Sequence, residues 1–247
     1  MIAVIAITKE GRKIAETLSS GLSGKTRLYF PSAGRLKDLA AGIFDKDKFE
    51  GLVFIMACGI VVRIIAGRLK NKHNDPAVVV VDEGKRFSIS LLSGHEGGAN
   101  RLAIEVADIL CCEPVVTTGS EAGKKLVVGV GCRRGIKKEE VIKAVEYAVR
   151  EAQGSIDCLR YIATVDLKRN EKGLRSACLK LGVPLRIIST GLIKNFDGKY
   201  QRSSFVKEKI GVEGVSEPCA LIASRNPKLI LPKRKIGRVT VAVAREV

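Results

Sequence analysis

The sequence predicts an α/β protein of two domains, each a mostly parallel sheet flanked by helices. Short apolar runs alternate with amphipathic stretches along almost all of the 247 residues, the pattern of repeated βα units. The length suits two domains of ~100–200 residues each. The charge is divided: residues 1–123 hold 16 Lys/Arg against 14 Asp/Glu, whereas residues 124–247 hold 27 against 12, so nearly all of the formal +17 lies in the second half.

In the first half, strands are expected at the short apolar runs 2–7, 27–30, 51–56, 77–82, 87–92 and 113–117. Helices fit 10–20, 34–42, 59–67 and 97–110, and in the last of these Leu102, Val106, Ile109 and Leu110 fall on one face. The polar segment GSEAGKK (119–125) has no periodicity. Residues 1–119 are therefore assigned to one domain, 120–125 to a linker and 126–247 to a basic second domain. There, strands are expected at 126–131, 159–165, 184–189, 228–231 and 238–244, with helices at 137–153, 171–181, 190–195, and near 204–210 and 218–224.

Composition excludes several classes. No run reaches the ~18–20 apolar residues of a spanning helix, and MIAVIAITKE reads as a first strand rather than a leader, so a cytoplasmic protein without a membrane partner is expected. Seven cysteines with no C-x-x-C pair argue against a disulfide framework or zinc ribbon, and with only His73 and His95 no protein-held metal is expected. The basic half suits an anion: nucleic acid, an acidic membrane surface or a polycarboxylate. Aromatic residues make up only 4% of the chain, which disfavours base stacking and hence nucleic acid. For any single lysine, a solvated surface explains the charge equally well.

The most specific motif is Ser93-Gly94-His95-Glu96-Gly97-Gly98-Ala99-Asn100, between the strand FSISLL and a helix. A glycine-rich strand-to-helix turn lets the backbone approach a ligand, and free N–H groups at a helix start favour an anion. It is expected at the carboxyl end of the sheet, where open α/β folds bind ligands. His95, beside an acid and a hydroxyl, is the candidate general acid/base, because imidazole exchanges protons near neutrality. Glu96 or Asp82 would orient it; Ser93 is an alternative nucleophile. The glycines with a Ser93 or Asn100 cap could equally be a plain tight turn. Asp82-Glu83-Gly84 also reads as a turn, with Asp82 left open, and Cys58-Gly59-Ile60-Val61-Val62-Arg63 opens a helix with Arg63 as a carboxylate clamp. In the second half, VVGVGCRRG starts like a dinucleotide fingerprint but has Arg134 where the third glycine belongs. Cys132, Arg133 and Arg134 would stand at the mouth of that sheet. Thr164 and Lys168, with Asp166 and Glu171, then Ser203-Ser204 and Ser216-Glu217, are further polar clusters that helix capping explains as well.

Taken together, GIVVRIIA, DPAVVVVDE, SGHEGGAN and PVVTT, then GVGCRRG, IATVDLKRNE and GVEGVSEPCAL, resemble the cobalt-precorrin-5A hydrolase (CbiG) family, over about 51–118 and 126–244. The resemblance implies anaerobic cobalamin biosynthesis: water opens the ring-A lactone of cobalt-precorrin-5A and the extruded carbon leaves as acetaldehyde, giving cobalt-precorrin-5B. The partner it implies is a polycarboxylate cobalt-corrinoid, and no cofactor is expected because the cobalt is carried in the substrate. Contacts to that substrate are expected from Arg63, Gly94, Gly97, Gly98, Asn100, Cys132, Arg133, Arg134, Thr164, Lys168 and Glu217. A homodimer and handover to other enzymes of the pathway are left open. Many members carry a middle segment between the two domains, whereas here only a few residues separate PVVTT from the second domain. The competing reading is a non-catalytic corrinoid- or nucleic-acid-binding module, since the second domain also resembles the small protein CobE.

Overall fold

The computed structural model describes residues 1–44, 49–71, 73–202, 208 and 211–247. Ser203 and Ser204, and most of the helix expected near 204–210, lie outside the described residues. The chain divides into two compact units, Met1–Thr118 and Gly119–Val247.

The first unit runs β1 (Ile2–Ala6), α1 (Lys9–Gly21), β2 (Thr26–Tyr29), α2 (Leu36–Phe44), β3 (Gly51–Ile55), α3 (Cys58–Ile65), β4 (Ala77–Val81), β5 (Phe87–Leu92), α4 (Ala99–Leu110) and β6 (Glu113–Val115). The sheet order is β2-β1-β3-β4-β5-β6. Alternation along each strand divides the core. Val4, Ala6, Val53, Ile55, Val79 and Val81 pack under α1 and α4, while Ala3, Ile5, Leu52, Phe54, Val78 and Val80 pack under α2 and α3. Every position of β3 and β4 is buried, which is why these strands read as unbroken apolar runs. Burying one such Leu or Phe contributes about 1.5–3 kcal/mol.

One pairing departs from the parallel pattern: β5 is antiparallel to β4, with Leu92 opposite Val78 and Ser88 opposite Val81. The reason is chain length. Only residues 82–86 join the two strands, and a parallel crossover needs a dozen or more.

The second unit opens with one helical turn, α5 (Gly119–Ala122), in the stretch where the sequence shows no periodicity. It continues β7 (Leu126–Cys132), α6 (Lys138–Glu151), β8 (Leu159–Val165), α7 (Lys172–Leu181), β9 (Leu185–Ile188), α8 (Thr190–Lys194), α9 (Ser216–Ile222), β10 (Pro227–Ile236) and β11 (Val239–Glu246). Its order is β10-β11-β7-β8-β9. This sheet is mixed: β7, β8 and β9 are parallel, but β11 is antiparallel to both β7 and β10. Helices α6 and α7 cover one face through Val128, Val130, Ile162, Val141 and Leu174, and α8 and α9 cover the other through Val127, Ala163, Val165, Ile193 and Cys219. β10 runs five residues beyond the expected 228–231, to Ile236. Its apolar pattern stops at Leu231 because the remainder is an edge, shielded from further pairing by Pro232, Lys233 and Lys235.

Candidate functional site

The SGHEGGAN turn closes on itself. Ser93 sits at φ +56° and Gly98 at φ +82°, and the Ala99 and Asn100 N–H groups donate to the Ser93 and Gly94 carbonyls at 3.2 and 3.0 Å. These first N–H groups of α4 are thus consumed by the loop, so the free amides expected to hold an anion are not free at those two positions. The glycines serve the closure. A Cβ on Gly97 would lie 2.5 Å from the Ser93 Cβ, and one on Gly94 would lie 2.7 Å from Asn100 Oδ1. Asn100, expected at the substrate, is buried and fastens the loop: Ser90 Oγ donates to its Oδ1 at 2.8 Å and its Nδ2 donates to Thr118 Oγ1 at 3.0 Å. His95 and Glu96 stand exposed at the tip. Beneath them Ser93 is 7% exposed, and its hydroxyl has no hydrogen-bond partner among the described residues.

The reversal of β5 moves this turn to the other end of the sheet. It follows the carboxyl ends of β5 and β6, beside the amino ends of β1, β3 and β4. Asp82 follows the carboxyl end of β4, on the order of 13 Å away along strands that rise ~3.3 Å per residue. Asp82 therefore cannot orient His95, and of the proposed catalytic group only Ser93, His95 and Glu96 share one loop. Asp82 instead builds the β4–β5 turn. Its Oδ1 accepts the Arg86 and Phe87 N–H groups at 2.9 and 2.7 Å, and its Oδ2 accepts Arg86 Nε at 2.9 Å. Partial burial pushes this carboxyl up, but the Arg86 guanidinium and the two backbone donors more than offset it and hold it below the usual carboxylate range. A depressed folded-state pKa contributes stability that is present above the unfolded value of ~3.9 and is lost as pH falls through the folded value. Asp82→Asn should accordingly lower the melting temperature at pH 7, with the deficit shrinking toward pH 2 in a series of thermal melts, while kcat stays within a few-fold of wild type.

Arg63, expected at the substrate, and Glu83, read as a turn residue, lie at that same edge. Arg63 is exposed and turns its Nη1 back onto the Gly59 carbonyl at 3.3 Å, and Glu83 accepts the Thr8 hydroxyl at 2.5 Å. Neither reaches the His95 loop.

In the second unit, the first two glycines of GVGCRRG, Gly129 and Gly131, are packing positions. A Cβ on Gly129 would fall 1.7 Å from the Ser216 carbonyl oxygen, so α9 rests directly on the β7 backbone. Thr164 is fully buried, with its hydroxyl donated to the Val130 carbonyl at 2.8 Å. Glu217 is buried as well and accepts the N–H of Lys233 at 2.7 Å and that of Gln201. Both residues, expected at the substrate, hold the fold. Arg133 and Arg134 are exposed at the carboxyl end of β7, with Cys132 half-buried behind them. Burial pushes the Cys132 thiol up to about 11, with Lys168 and Arg238 opposing and Glu171 adding to the shift. Lys168 faces Glu171 at 3.6 Å, and Arg238 faces Glu140 at 3.5 Å. Reading along the chain missed Arg238 at this site, because the β10–β11 hairpin brings it from 104 residues away.

Comparison with known proteins agrees with this two-unit organisation. The family model described as the N-terminal part of cobalamin synthesis G matches residues 39–121, and that described as its C-terminus matches 126–244. A cobalt-precorrin-5A hydrolase of Priestia megaterium is 27% identical over 355 aligned positions, covering 98% of this chain and 94% of that protein. A probable cobalt-precorrin-5A hydrolase of Methanocaldococcus jannaschii is 26% identical over 327 positions, covering 100% and 99%. The protein CobE of a Sinorhizobium species is 31% identical over 127 positions, covering 51% of this chain and 82% of its own length. Both full-length alignments exceed the 247 residues present, so those relatives carry additional residues within the aligned span. The two family matches here leave only residues 122–125 between them, consistent with a missing middle segment. With both halves matched in order, the chain belongs to the cobalamin synthesis G family, whose full-length relatives above bear the name cobalt-precorrin-5A hydrolase.

Proposed function

We propose that this chain hydrolyses cobalt-precorrin-5A, opening the ring-A lactone and releasing acetaldehyde to give cobalt-precorrin-5B. The observation that carries the reading is the pair of family matches over 39–121 and 126–244, in the same order as in full-length relatives of that name. Water attacks the lactone carbonyl and the acyl–oxygen bond breaks, leaving a carboxylic acid and a hydroxyl on the extruded carbon. Loss of that hydroxyl proton, with cleavage of the carbon–carbon bond and its electron pair retained by the macrocycle, releases acetaldehyde. His95 takes the proton from water and returns one to the departing oxygen, with Glu96 beside it on the same exposed tip. Ser93 is the alternative nucleophile; its buried position disfavours direct attack on a large macrocycle. The cobalt belongs to the substrate, no cofactor takes part, and the reaction runs in the cytoplasm. Among the described residues, no helix is long and apolar enough to cross a membrane.

The test is anaerobic incubation of the protein with cobalt-precorrin-5A, trapping volatile carbonyl products and following the corrinoid by mass spectrometry. Acetaldehyde in proportion to protein-dependent product is the expected result. Corrinoid binding without acetaldehyde would support the second reading, a non-catalytic corrinoid-binding module, which the likeness of the second half to CobE favours. If the basic second unit attracts a polycarboxylate, KM should rise with ionic strength while kcat changes little, as screening over a Debye length of ~8–10 Å requires.

A further inference from the structure

The turn after β7 is fastened from two sides. The Arg133 N–H donates to the Arg238 carbonyl at 3.3 Å, and Arg238 Nη2 donates back to the Arg134 carbonyl at 3.2 Å. Opposite, the Gly135 N–H donates to Glu171 Oε1 at 3.0 Å, and Gly135 holds φ +68°, a conformation that favours glycine.

The carboxylates nearby are already occupied. Glu171 offers its second oxygen to Lys168 at 3.6 Å. Glu140 Oε2 accepts the Lys137 N–H at 3.2 Å and faces Arg238 Nη1 at 3.5 Å. Arg133 and Arg134 are exposed, and among the described residues no carboxylate pairs with either. Arg133, Arg134, Lys168 and Arg238 thus stand together at this turn, and the two carboxylates that touch it, Glu140 and Glu171, are already engaged. Two guanidinium forks on a backbone tied at both ends are pre-organised for planar anions, so less conformational freedom is lost on binding than from a loose loop.

From this geometry we infer that Cys132–Gly135 is a carboxylate clamp that distinguishes the free-acid side arms of a corrinoid from amidated ones, with Arg133 and Arg134 as ligands and Arg238 and Glu171 as positioning residues. The identity of the polycarboxylate rests on the proposed function; the clamp chemistry rests on the turn itself. Arg238 acts by holding the Arg134 carbonyl and Glu171 by holding the Gly135 amide.

The test uses the full-length protein and two stable cobalt corrins: cobyrinic acid, whose side arms are free carboxylates, and cobinamide, whose arms are amides. Dissociation constants are measured by absorbance titration at low salt, with thermal melts of each variant. The wild type should prefer cobyrinic acid by about tenfold or more, the scale of one charge-assisted contact. Arg238→Ala and Glu171→Ala should each remove most of that preference while leaving the cobinamide constant unchanged. Glu171→Gln, whose amide oxygen still accepts the Gly135 N–H, should restore it. The Arg238 side chain is 42% exposed, so its truncation should leave the melting temperature near wild type and keep the test valid if Glu171→Ala unfolds. Equal affinity of the wild type for both corrins, or an unchanged preference in Arg238→Ala, overturns the clamp. Single-stranded RNA binding tighter than cobyrinic acid also overturns it, by assigning the turn to phosphate. Neither corrin is turned over, so acetaldehyde release with no carboxylate preference would defeat the clamp alone. Preference without acetaldehyde release would defeat the hydrolase reading alone.

Discussion

His95→Gln is expected to lower kcat by roughly 10²–10⁴-fold, the usual consequence of removing a general acid/base. Lactone opening must take a proton from water and deliver one to the departing oxygen, and His95 is the imidazole on the loop that also carries Ser93 and Glu96. Glutamine keeps the size and the capacity for hydrogen bonds but cannot exchange the proton. Because His95 is exposed, the substitution should change stability by no more than about 0.5 kcal/mol. Single-turnover rates, corrinoid affinity and a thermal melt separate the outcomes. A large fall in rate with affinity and melting temperature intact supports proton transfer. Turnover within a few-fold of wild type would reduce His95 to a loop-shaping role. The same measurement on Asp82→Asn should show little change in rate, because that carboxylate lies at the opposite edge of the sheet.

Gly129→Ala is expected to destabilise the second unit by about 3 kcal/mol or more, the upper range for an overpacked core position. The added Cβ would lie 1.7 Å from the Ser216 carbonyl oxygen and 2.8 Å from the Ala220 nitrogen, so α9 would have to lift from β7. Neither obstacle is the end of a flexible side chain that could swing aside. At the few degrees per kcal/mol usual for a domain of this size, the melting transition should fall by about 10 °C. Gly123→Ala is the control, since nothing lies within 4 Å of its would-be Cβ. Calorimetry of the two variants decides the matter. If Gly129 were retained for close approach of a dinucleotide, as the opening of GVGCRRG suggests, the alanine variant would melt with wild type and lose only ligand binding.

Much of this arrangement was legible along the chain. β3 and β4 are buried on both faces, so they had to be written in unbroken aliphatic residues, and the alternation with amphipathic helices follows from covering such strands. The reversal of β5 was legible too, in the five residues from Asp82 to Arg86, but only by weighing connection length as well as periodicity. The polar letters were ambiguous, because a carboxylate that closes a turn and one that serves a substrate look the same in sequence. Asp82 and Glu217 both proved to satisfy backbone amides, and Asn100 proved to fasten a loop.

By itself, the sequence determined the α/β class and the concentration of positive charge in the second half, and it singled out SGHEGGAN as a glycine-rich strand-to-helix turn. These depend on local periodicity, composition and backbone conformation, which neighbouring residues dictate. Only the tertiary structure decided which polar groups meet. It parted Asp82 from His95 by reversing one strand, spent the first amides of α4 on the loop before it, and carried Arg238 across 104 residues to hold the turn of Arg133 and Arg134. Strand direction and hairpin pairing fix such encounters, and they arise from the packing of whole elements, which no short stretch of sequence contains.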